Sequence, residues 1–321
     1  MVDTLLLTLQ KIFMLCTFIM IGYFLARKNI LPKESTKTLS YLGTNVIYPA
    51  YLIKNLSSSF TRETLAENLP LFLWGLVFMV SLLVVGFLIA LLFKKSSVPR
   101  NTFVYIFAFS NYGYFGYPVI EGVFGQEFLA KTIVFAIPSS IAIGSIGYFL
   151  LMGKGKSFIK TLLSPSIISL VIGCILGIMG IAIPYSSESI NVTSTVMGFL
   201  SDTITAAGNC MSAVTMLLTG FVLGKFSLKE LFKSPLSYLI SSIRLILIAT
   251  LCATFLYLLG VRGMLLAIPV IICAMPVGMN TVLFTEAGGR DSSESARICF
   301  ISNIMGILTI PLVFAILSNF I

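Results

Sequence analysis

Ser-Asn-Tyr-Gly-Tyr-Phe-Gly-Tyr-Pro at residues 110–118 interrupts one long apolar stretch of the chain, and Ala-Met-Pro-Val-Gly-Met-Asn-Thr at residues 274–281 interrupts another. Glycine and proline weaken a helix, and the asparagine amides need hydrogen-bond partners that hydrocarbon cannot supply. Broken backbone of this kind is tolerated at membrane depth only where protein buries it or water reaches it. Two matching breaks, one in each half of a chain, are typical of a transporter's substrate site.

The composition indicates an integral membrane protein. Hydrophobic residues fill 57% of the 321 positions, charged residues fill only 10%, and the mean hydropathy is +1.02. A soluble domain of this size could not bury so much apolar surface. The first apolar segment, near residues 5–26, is too long for the apolar core of a signal peptide and lacks a basic start. It therefore predicts a first membrane span rather than a cleaved leader.

Charge and residue types exclude several classes of function. The net charge of +9 is better explained by basic cytoplasmic loops than by nucleic-acid binding. The chain has no histidine, and its six cysteines form no CxxC pair, so we expect neither a metal site nor another cofactor. No nucleotide-binding fingerprint and no catalytic cluster is visible in the sequence. An enzyme and an ATP-driven pump are therefore both disfavoured.

Hydropathy predicts ten membrane spans, numbered here in chain order. They run near residues 4–26, 36–56, 69–93, 101–121, 128–152, 164–183, 194–223, 235–259, 263–286 and 296–318.

Lysine and arginine predict the orientation of these spans. The loops after odd-numbered spans hold 15 basic residues, and the loops after even-numbered spans hold 4. Because basic loops stay cytoplasmic, both termini are predicted to be outside. The predicted location is the plasma membrane, in bacterial terms the inner membrane, as a multi-pass protein.

The fold class predicted is all-α integral membrane, with ten transmembrane helices arranged as two inverted five-helix repeats. Residues 1–152 would form the first repeat, residues 153–163 a cytoplasmic linker, and residues 164–321 the second repeat. Five is an odd number, so the second repeat must enter the membrane from the opposite side. The broken fourth and ninth helices would then occupy equivalent positions and cross each other.

The break in span 4 supplies the first candidate binding residues. A helix that stops and restarts exposes unpaired N–H groups, with partial positive charge, at one half-helix and unpaired carbonyls at the other. Asn111 can orient a bound anion, Gly113 permits close approach, and Tyr112 offers a flat face with a polar tip. Pro118 would hold the break open. A kinked packing helix is the structural alternative.

Span 9 supplies the partner residues. Pro276 perturbs the helix, and Gly278 and Asn280 follow it, so Asn111 and Asn280 would lie close together if the breaks cross. Asn45 and Pro49 in span 2 form a weaker candidate set, for which a simple proline kink is an equal alternative.

Ionisable residues within spans raise the question of ion coupling. Asp202, in the early part of span 7, is either a proton or cation site or an acid near the outer interface, and the interface is preferred. Glu121 and Glu286, at the ends of spans 4 and 9, are the other coupling candidates. For Lys11 the preferred expectation is snorkelling to the membrane surface. Arg244 can snorkel, pair with an acid or attract an anion.

The motifs at residues 45–50, 110–118 and 302–311, taken in order and spacing, resemble the auxin efflux carrier family of membrane transport proteins in its bacterial form. The resemblance covers essentially the whole chain. It implies a ten-span inverted-repeat fold, with a scaffold made of spans 1, 2, 6 and 7 and a mobile part made of the rest. One departure lies in span 7, where the family often has proline and this chain has Ser212 or Ala213. Any role carried over to span 7 is therefore in doubt.

The same resemblance implies organic anions as substrates, such as auxin in plants and malate or malonate in bacteria, bound at Asn111 and Asn280. The function predicted is a secondary transporter of small organic anions that works by elevator-type alternating access. A cation-coupled exchanger driven by Na+ or H+ and a membrane sensor that binds a ligand without moving it are the alternatives. The partners expected are a small carboxylate and the lipid bilayer, with a homodimer left open.

Overall fold

A computed structural model describes residues 2–30, 32, 34–94, 96, 98–152, 163–184, 192–287 and 289–318. Almost all of the predicted linker at residues 153–163 lies outside this part, so the linker and the division into two repeats stay predictions.

The described chain is all-helical. Its α-helices are α1 (Val2–Arg27), α2 (Ser35–Leu42), α3 (Tyr48–Ser59), α4 (Leu65–Ala90), α5 (Arg100–Ala108), α6 (Tyr117–Ala142), α7 (Tyr148–Met152), α8 (Pro165–Ile178), α9 (Val192–Asn209), α10 (Met211–Leu223), α11 (Leu228–Leu231), α12 (Pro235–Ser242), α13 (Ala249–Leu258), α14 (Met264–Ala274), α15 (Asn280–Ala287) and α16 (Ser293–Leu317). Short π-helical stretches join several of them, at Gly43–Ile47, Tyr112–Gly116, Ile143–Gly147 and Ile243–Ile248.

Six of the described helical runs are long and apolar enough to cross a membrane. They are Val2–Arg27, Asn68–Phe93, Tyr112–Met152, Thr195–Leu223, Pro235–Leu258 and Ser293–Leu317, and the shorter apolar helices are α8 and α14. The breaks explain part of the difference from ten. The ninth predicted span is divided into α14 and α15, which are both too short to qualify, and α5 is separated from the run that begins at Tyr112. The run Tyr112–Met152 also contains Gly125 at φ 83°, where the helix is interrupted by a kink. Ten spans and the inverted repeat remain predictions.

Side-chain exposure fits a lipid environment. Leu92, Leu258 and Leu308 are among the most exposed large apolar residues, at 80%, 78% and 69%. A soluble protein rarely leaves contiguous apolar faces open to water, whereas lipid tails favour them. The protein is therefore a multi-pass membrane protein, as the composition predicts.

For description, we divide the helices into the scaffold and mobile parts that the sequence resemblance implies. In the first group α1 packs along α10, and α3 packs against α8 and α9. In the second group α4 packs against α5 and α6, α12 packs against α16, and α13 packs against α14. Contacts of α1 with α16 and α6, and of α3 with α6, join the two groups. We call them the first and second helix groups below.

Glycines allow the closest approaches within each group. A Cβ on Gly220 of α10 would lie only 2.0 Å from the carbonyl oxygen of Ile19 of α1. In the second group, a Cβ on Gly75 of α4 would lie 1.9 Å from the carbonyl oxygen of Phe135. Small residues that let backbones touch are a common means of packing helices in membranes. Here they fix the interiors of both groups.

At two prolines the chain departs less from helical geometry than the sequence suggests. Pro118 and Pro49 each occupy the first turn of an α-helix directly after a π-helical stretch, Tyr112–Gly116 and Gly43–Ile47. Proline lacks an N–H and crowds the carbonyl one turn earlier, and a wider turn relieves both problems. The break in the fourth predicted span is therefore confined to residues 109–111.

Candidate functional site

The two broken segments meet in an antiparallel contact. Ser110 pairs with Val277 in an isolated β-bridge, and the N–H of Asn111 donates to the carbonyl oxygen of Pro276 at 2.8 Å. The hydroxyl of Ser110 adds a bond of 2.8 Å to the carbonyl oxygen of Ile272. Each break thus satisfies backbone groups of the other, as buried polar backbone requires. We call this contact the crossover.

A third helix holds the second break in place. The N–H of Val277 donates to the hydroxyl of Ser302 on α16 at 3.1 Å, and this hydroxyl in turn donates to the carbonyl oxygen of Cys299 at 2.9 Å. Ser302 is fully buried. The crossover is therefore held by the main-chain bond between the two breaks and by the side chains of Ser110 and Ser302.

The half-helices that restart after the breaks both begin at the crossover. Asn111 precedes the helical turn in which Phe115 and Gly116 donate to its carbonyl oxygen, at 3.1 and 3.0 Å. Asn280 is the first residue of α15. Both starts present the partially positive end of a helix, which favours an anion.

A cavity of about 800 Å³ lies against these two starts. Six of the predicted site residues line it, namely Asn45, Asn111, Tyr112, Gly113, Gly278 and Asn280. Pro49, Pro118 and Pro276 are buried but do not line it. The prolines therefore act through backbone shape, and Pro276 also through the carbonyl oxygen that Asn111 binds.

One side chain at the cavity has an unused donor. Asn111 is only 4% exposed, and its Nδ2 atom has no hydrogen-bond partner among the described residues. The neighbouring polar groups are occupied, since the hydroxyls of Tyr112 and Ser140 bond each other at 3.0 Å and the Asn45 amide donates to the carbonyl oxygen of Tyr41. A buried donor left unpaired is costly, and a ligand that accepts its proton removes that cost.

Apart from Ser110 and Tyr114 of the first break, the rest of the lining was not identified from the sequence. Aromatic and hydroxyl side chains provide most of it, including Tyr48, Tyr105, Tyr114 and Ser140. Tyr48 adjoins a predicted proline kink, but Ser140 comes from the fifth predicted span, where no sequence signal marked it. No carboxylate occurs among the lining residues that are described.

The cavity reaches the helix ends beside the basic loops. Its lining includes Lys37 near the start of α2, Met152 at the end of α7, Ser166 near the start of α8 and Lys225 just after α10. All four positions lie next to loops that follow odd-numbered predicted spans. The cavity therefore extends from the crossover toward the side of the membrane predicted to be cytoplasmic.

Aromatic packing occupies the other side of the crossover. Tyr51 of α3 stacks on Tyr117 of α6 with ring centroids 6.2 Å apart, and its hydroxyl donates to the carboxylate of Glu121 at 3.2 Å. Tyr117 also contacts Tyr112, at 5.7 Å between centroids. This cluster joins the first helix group to the second and fills the space between α3 and α6.

Of the acids predicted for ion coupling, Glu121 and Asp202 do not line the cavity. Glu121 is half-buried and bound by Tyr51, and Asp202 is exposed on α9. Glu286 belongs to α15, but its side chain lies outside the described part. The described structure does not bring Glu121 or Asp202 to the crossover, and the role of all three acids in coupling remains a prediction.

The two basic residues inside predicted spans differ in their surroundings. The stem of Lys11 packs against Gly122, where an added Cβ would lie 2.3 Å from its Cε atom. Arg244 is 0% exposed, so it does not snorkel to the membrane surface. Its nitrogen atoms donate to main-chain carbonyls close to the crossover.

Comparison with known proteins identifies the family. A family model described as "Membrane transport protein" matches residues 7–161 and 154–314. An uncharacterized transporter of Methanothermobacter thermautotrophicus is 22% identical over 310 residues, covering 94% of this chain and 96% of the relative. An uncharacterized transporter of Methanocaldococcus jannaschii is 24% identical with the same coverage. These names indicate a membrane transporter rather than an enzyme.

The resemblance drawn from the sequence motifs is thereby confirmed, and the chain belongs to the membrane transport protein family, the family of auxin efflux carrier-like proteins.

Proposed function

We propose that this membrane transporter is a secondary carrier of small organic anions, with the substrate carboxylate bound at the crossover. The observation that carries the proposal is the Nδ2 atom of Asn111, a buried donor with no partner among the described residues, beside a cavity of about 800 Å³. A volume of this size is ordinary for a small-molecule site. A carboxylate oxygen accepts such a donor, and ionised acceptors form the stronger bonds.

Electrostatics support an anion over a cation. Two half-helix starts converge on the cavity, each with a partial positive charge of about half an elementary unit. Two lysines and no carboxylate occur among the described lining residues. A site that binds a cation in a membrane protein normally supplies carboxylates or clustered carbonyl oxygens.

The transport cycle proposed is alternating access of the elevator type. The second helix group, which carries the crossover, would move against the first, and the cavity would open alternately to the two sides. The extension of the cavity toward the basic loops supports a cytoplasm-facing state, with the cluster of Tyr51, Tyr117 and Glu121 closing the opposite path. The plasma membrane with both termini outside is the location proposed.

The test is uptake by proteoliposomes of radiolabelled malonate, malate and indole-3-acetate. Asn111→Ala and Asn280→Ala each remove a side chain from the cavity, and we expect transport to fall by about 10-fold or more, since a hydrogen bond to a charged group contributes about 1.5–3 kcal/mol. Asn303→Ala is the matched control, because Asn303 is equally buried at 5% exposed but does not line the cavity. Unchanged uptake by folded Asn111→Ala and Asn280→Ala proteins would contradict the proposed substrate site at the crossover.

The same vesicles separate the alternatives. Saturable binding of these anions without flux would identify a sensor that keeps the fold of a transporter. Flux that appears only with a sodium or proton gradient would identify a coupled exchanger and direct attention to Asp202, Glu121 and Glu286.

A further inference from the structure

Arg244 is a fully buried arginine at the crossover. It lies in the π-helical stretch Ile243–Ile248 between α12 and α13, and it is the largest side chain with no exposed surface. An arginine inside the membrane is costly, and such residues are retained where they pair with carboxylates or main-chain carbonyls.

The guanidinium group bridges the ends of the two half-helices that stop at the breaks. Nη1 donates to the carbonyl oxygen of Phe107 at 2.8 Å, and Nη2 donates to the carbonyl oxygen of Ile272 at 3.3 Å. Phe107 lies in the last turn of α5, and Ile272 lies in the last turn of α14. Carbonyls in a last turn lack the regular partner four residues on, and the helix end carries partial negative charge. The Ile272 oxygen also accepts from the N–H of Met275 and the hydroxyl of Ser110.

No carboxylate among the described residues neutralises Arg244. Its hydrogen bonds go to the two neutral carbonyls, and its Nε atom has no partner in the described part of the chain. Two ion pairs among the described residues, Lys131 with Glu127 and Arg297 with Glu294, both lie away from the crossover. The counter-charge for Arg244 is therefore the pair of helix ends.

The charges at the crossover are thus divided between its two faces. Two helix ends of about −0.5 each offset the one positive charge of Arg244. The two helix starts at Asn111 and Asn280, of about +0.5 each, remain without a fixed counter-charge on the cavity side. One carboxylate group supplies that missing charge.

We propose that Arg244 is a built-in counter-ion at the two half-helix ends, in the place that a transported cation would otherwise occupy. The crossover then keeps a site for a single carboxylate group. This rests on the proposed function, since it assumes that an anion binds at the cavity. Arg244 does not line the cavity and is a positioning residue, acting through α5 and α14. Transport by the wild-type protein then needs no sodium.

The first experiment measures wild-type uptake of radiolabelled malonate and indole-3-acetate in proteoliposomes. Sodium, potassium or N-methylglucamine is the only added cation, at equal concentration on both sides. We expect equal rates in all three media. A requirement for sodium would overturn the role of Arg244 while leaving anion binding at the crossover standing.

The second experiment separates charge from packing. Arg244→Ala leaves a space shaped for guanidinium, and millimolar guanidinium should restore its thermal stability and uptake, whereas urea, a neutral molecule of the same shape, should not. Equal restoration by urea would overturn the inference, and so would none by either compound. Arg262→Ala, which removes an exposed arginine, should respond to neither compound.

A further pair of variants covers failure of Arg244→Ala to fold. Arg244→Lys keeps the charge and Arg244→Gln removes it, so the lysine protein should keep more uptake and a higher melting temperature than the glutamine protein. The opposite order would contradict the inference. If the wild-type protein moves no anion at all, the proposed function fails, and the melting temperatures with guanidinium and urea still decide the role of Arg244.

Discussion

Asn111 and Pro276 are separated by 165 positions in the sequence and joined by a main-chain hydrogen bond of 2.8 Å. The N–H of Asn111 would have bonded within α5 if the helix had continued, and the carbonyl oxygen of Pro276 lies in the second break. Each break therefore stabilises the other, and the crossover is the feature from which the following predictions derive.

Ser302→Ala should destabilise the protein and reduce transport. The change leaves the buried N–H of Val277 without its partner, which costs about 1–3 kcal/mol. Ser169→Ala is the control, because Ser169 is also buried but bonds only within its own helix, to the carbonyl oxygen of Ser166. Melting temperature in detergent and uptake in vesicles measure the two effects. Equal losses in the two variants would contradict a special role for Ser302.

Gly220→Ala should disrupt the first helix group. The new Cβ would lie 2.0 Å from the carbonyl oxygen of Ile19 and 2.7 Å from the nitrogen of Tyr23, both main-chain atoms that cannot move alone. Overpacking of this kind costs about 1–3 kcal/mol. Gly198→Ala on α9 meets nothing within 4 Å and should change stability by no more than about 1 kcal/mol. Equal melting temperatures for the two variants in a thermal-shift measurement would contradict the close contact between α1 and α10.

Tyr51→Phe should shift the protein away from the proposed cytoplasm-facing state. It removes the hydrogen bond to Glu121 that joins the two helix groups, at a cost of about 1.5–3 kcal/mol to this state. Tyr23→Phe removes a bond of the same 3.2 Å length, to the carbonyl oxygen of Phe226, within the first group. Labelling of Ser140→Cys in the cavity by an impermeant thiol reagent, applied from the basic-loop side, should slow only with Tyr51→Phe.

Cross-linking α2–α3 to the fourth predicted span should stop turnover. The hydroxyls of Thr44 and Tyr114 lie 3.3 Å apart across the two helix groups. Cysteines at these positions, joined through disulfides by a short bis-methanethiosulfonate reagent in a protein without its native cysteines, should abolish transport until the link is reduced. The control link joins Lys54 and Asn209 within the first group, whose side chains now bond at 2.9 Å. Full turnover with the Thr44–Tyr114 link in place would exclude the elevator motion.

Lys37→Gln should slow capture of an anion from the cavity mouth. A charge at the entrance raises the encounter rate of an oppositely charged substrate, and salt screens this effect with a Debye length of about 10 Å at 0.1 M. We expect a fall in kcat/KM of roughly 3–10-fold at low ionic strength that disappears at high salt. Lys229→Gln, outside the cavity lining, should have no such effect. A loss independent of salt would contradict the steering role.

The sequence predicts the two breaks because their signal is local. Glycine, proline and asparagine disfavour a continuous apolar helix wherever they cluster, so residues 109–111 and 275–279 could be located within a few positions. The small departure from a helix at Pro118 could not be predicted. It depends on a π-helical turn before the proline, and that turn forms through a rearrangement of main-chain carbonyls that no residue type signals.

The sequence does not predict which distant residues complete the site. Arg244 stands out as a charge in an apolar segment, but its partners, Phe107 and Ile272, are main-chain carbonyls and carry no sequence signal. Ser140 reaches the cavity only through the packing of α6 on its neighbours. Tertiary contacts of this kind are decided by the whole fold rather than by any local pattern.

The bond between Asn111 and Pro276 uses only main-chain atoms, and this has a consequence for how such proteins diversify. Side chains at the surface of the cavity, such as those of Asn45 and Asn280, can be exchanged while the bond between the breaks is kept. Selection can therefore change which molecule is bound without rebuilding the framework that binds it. One architecture can serve a series of chemically different cargoes through substitutions at a few exchangeable positions.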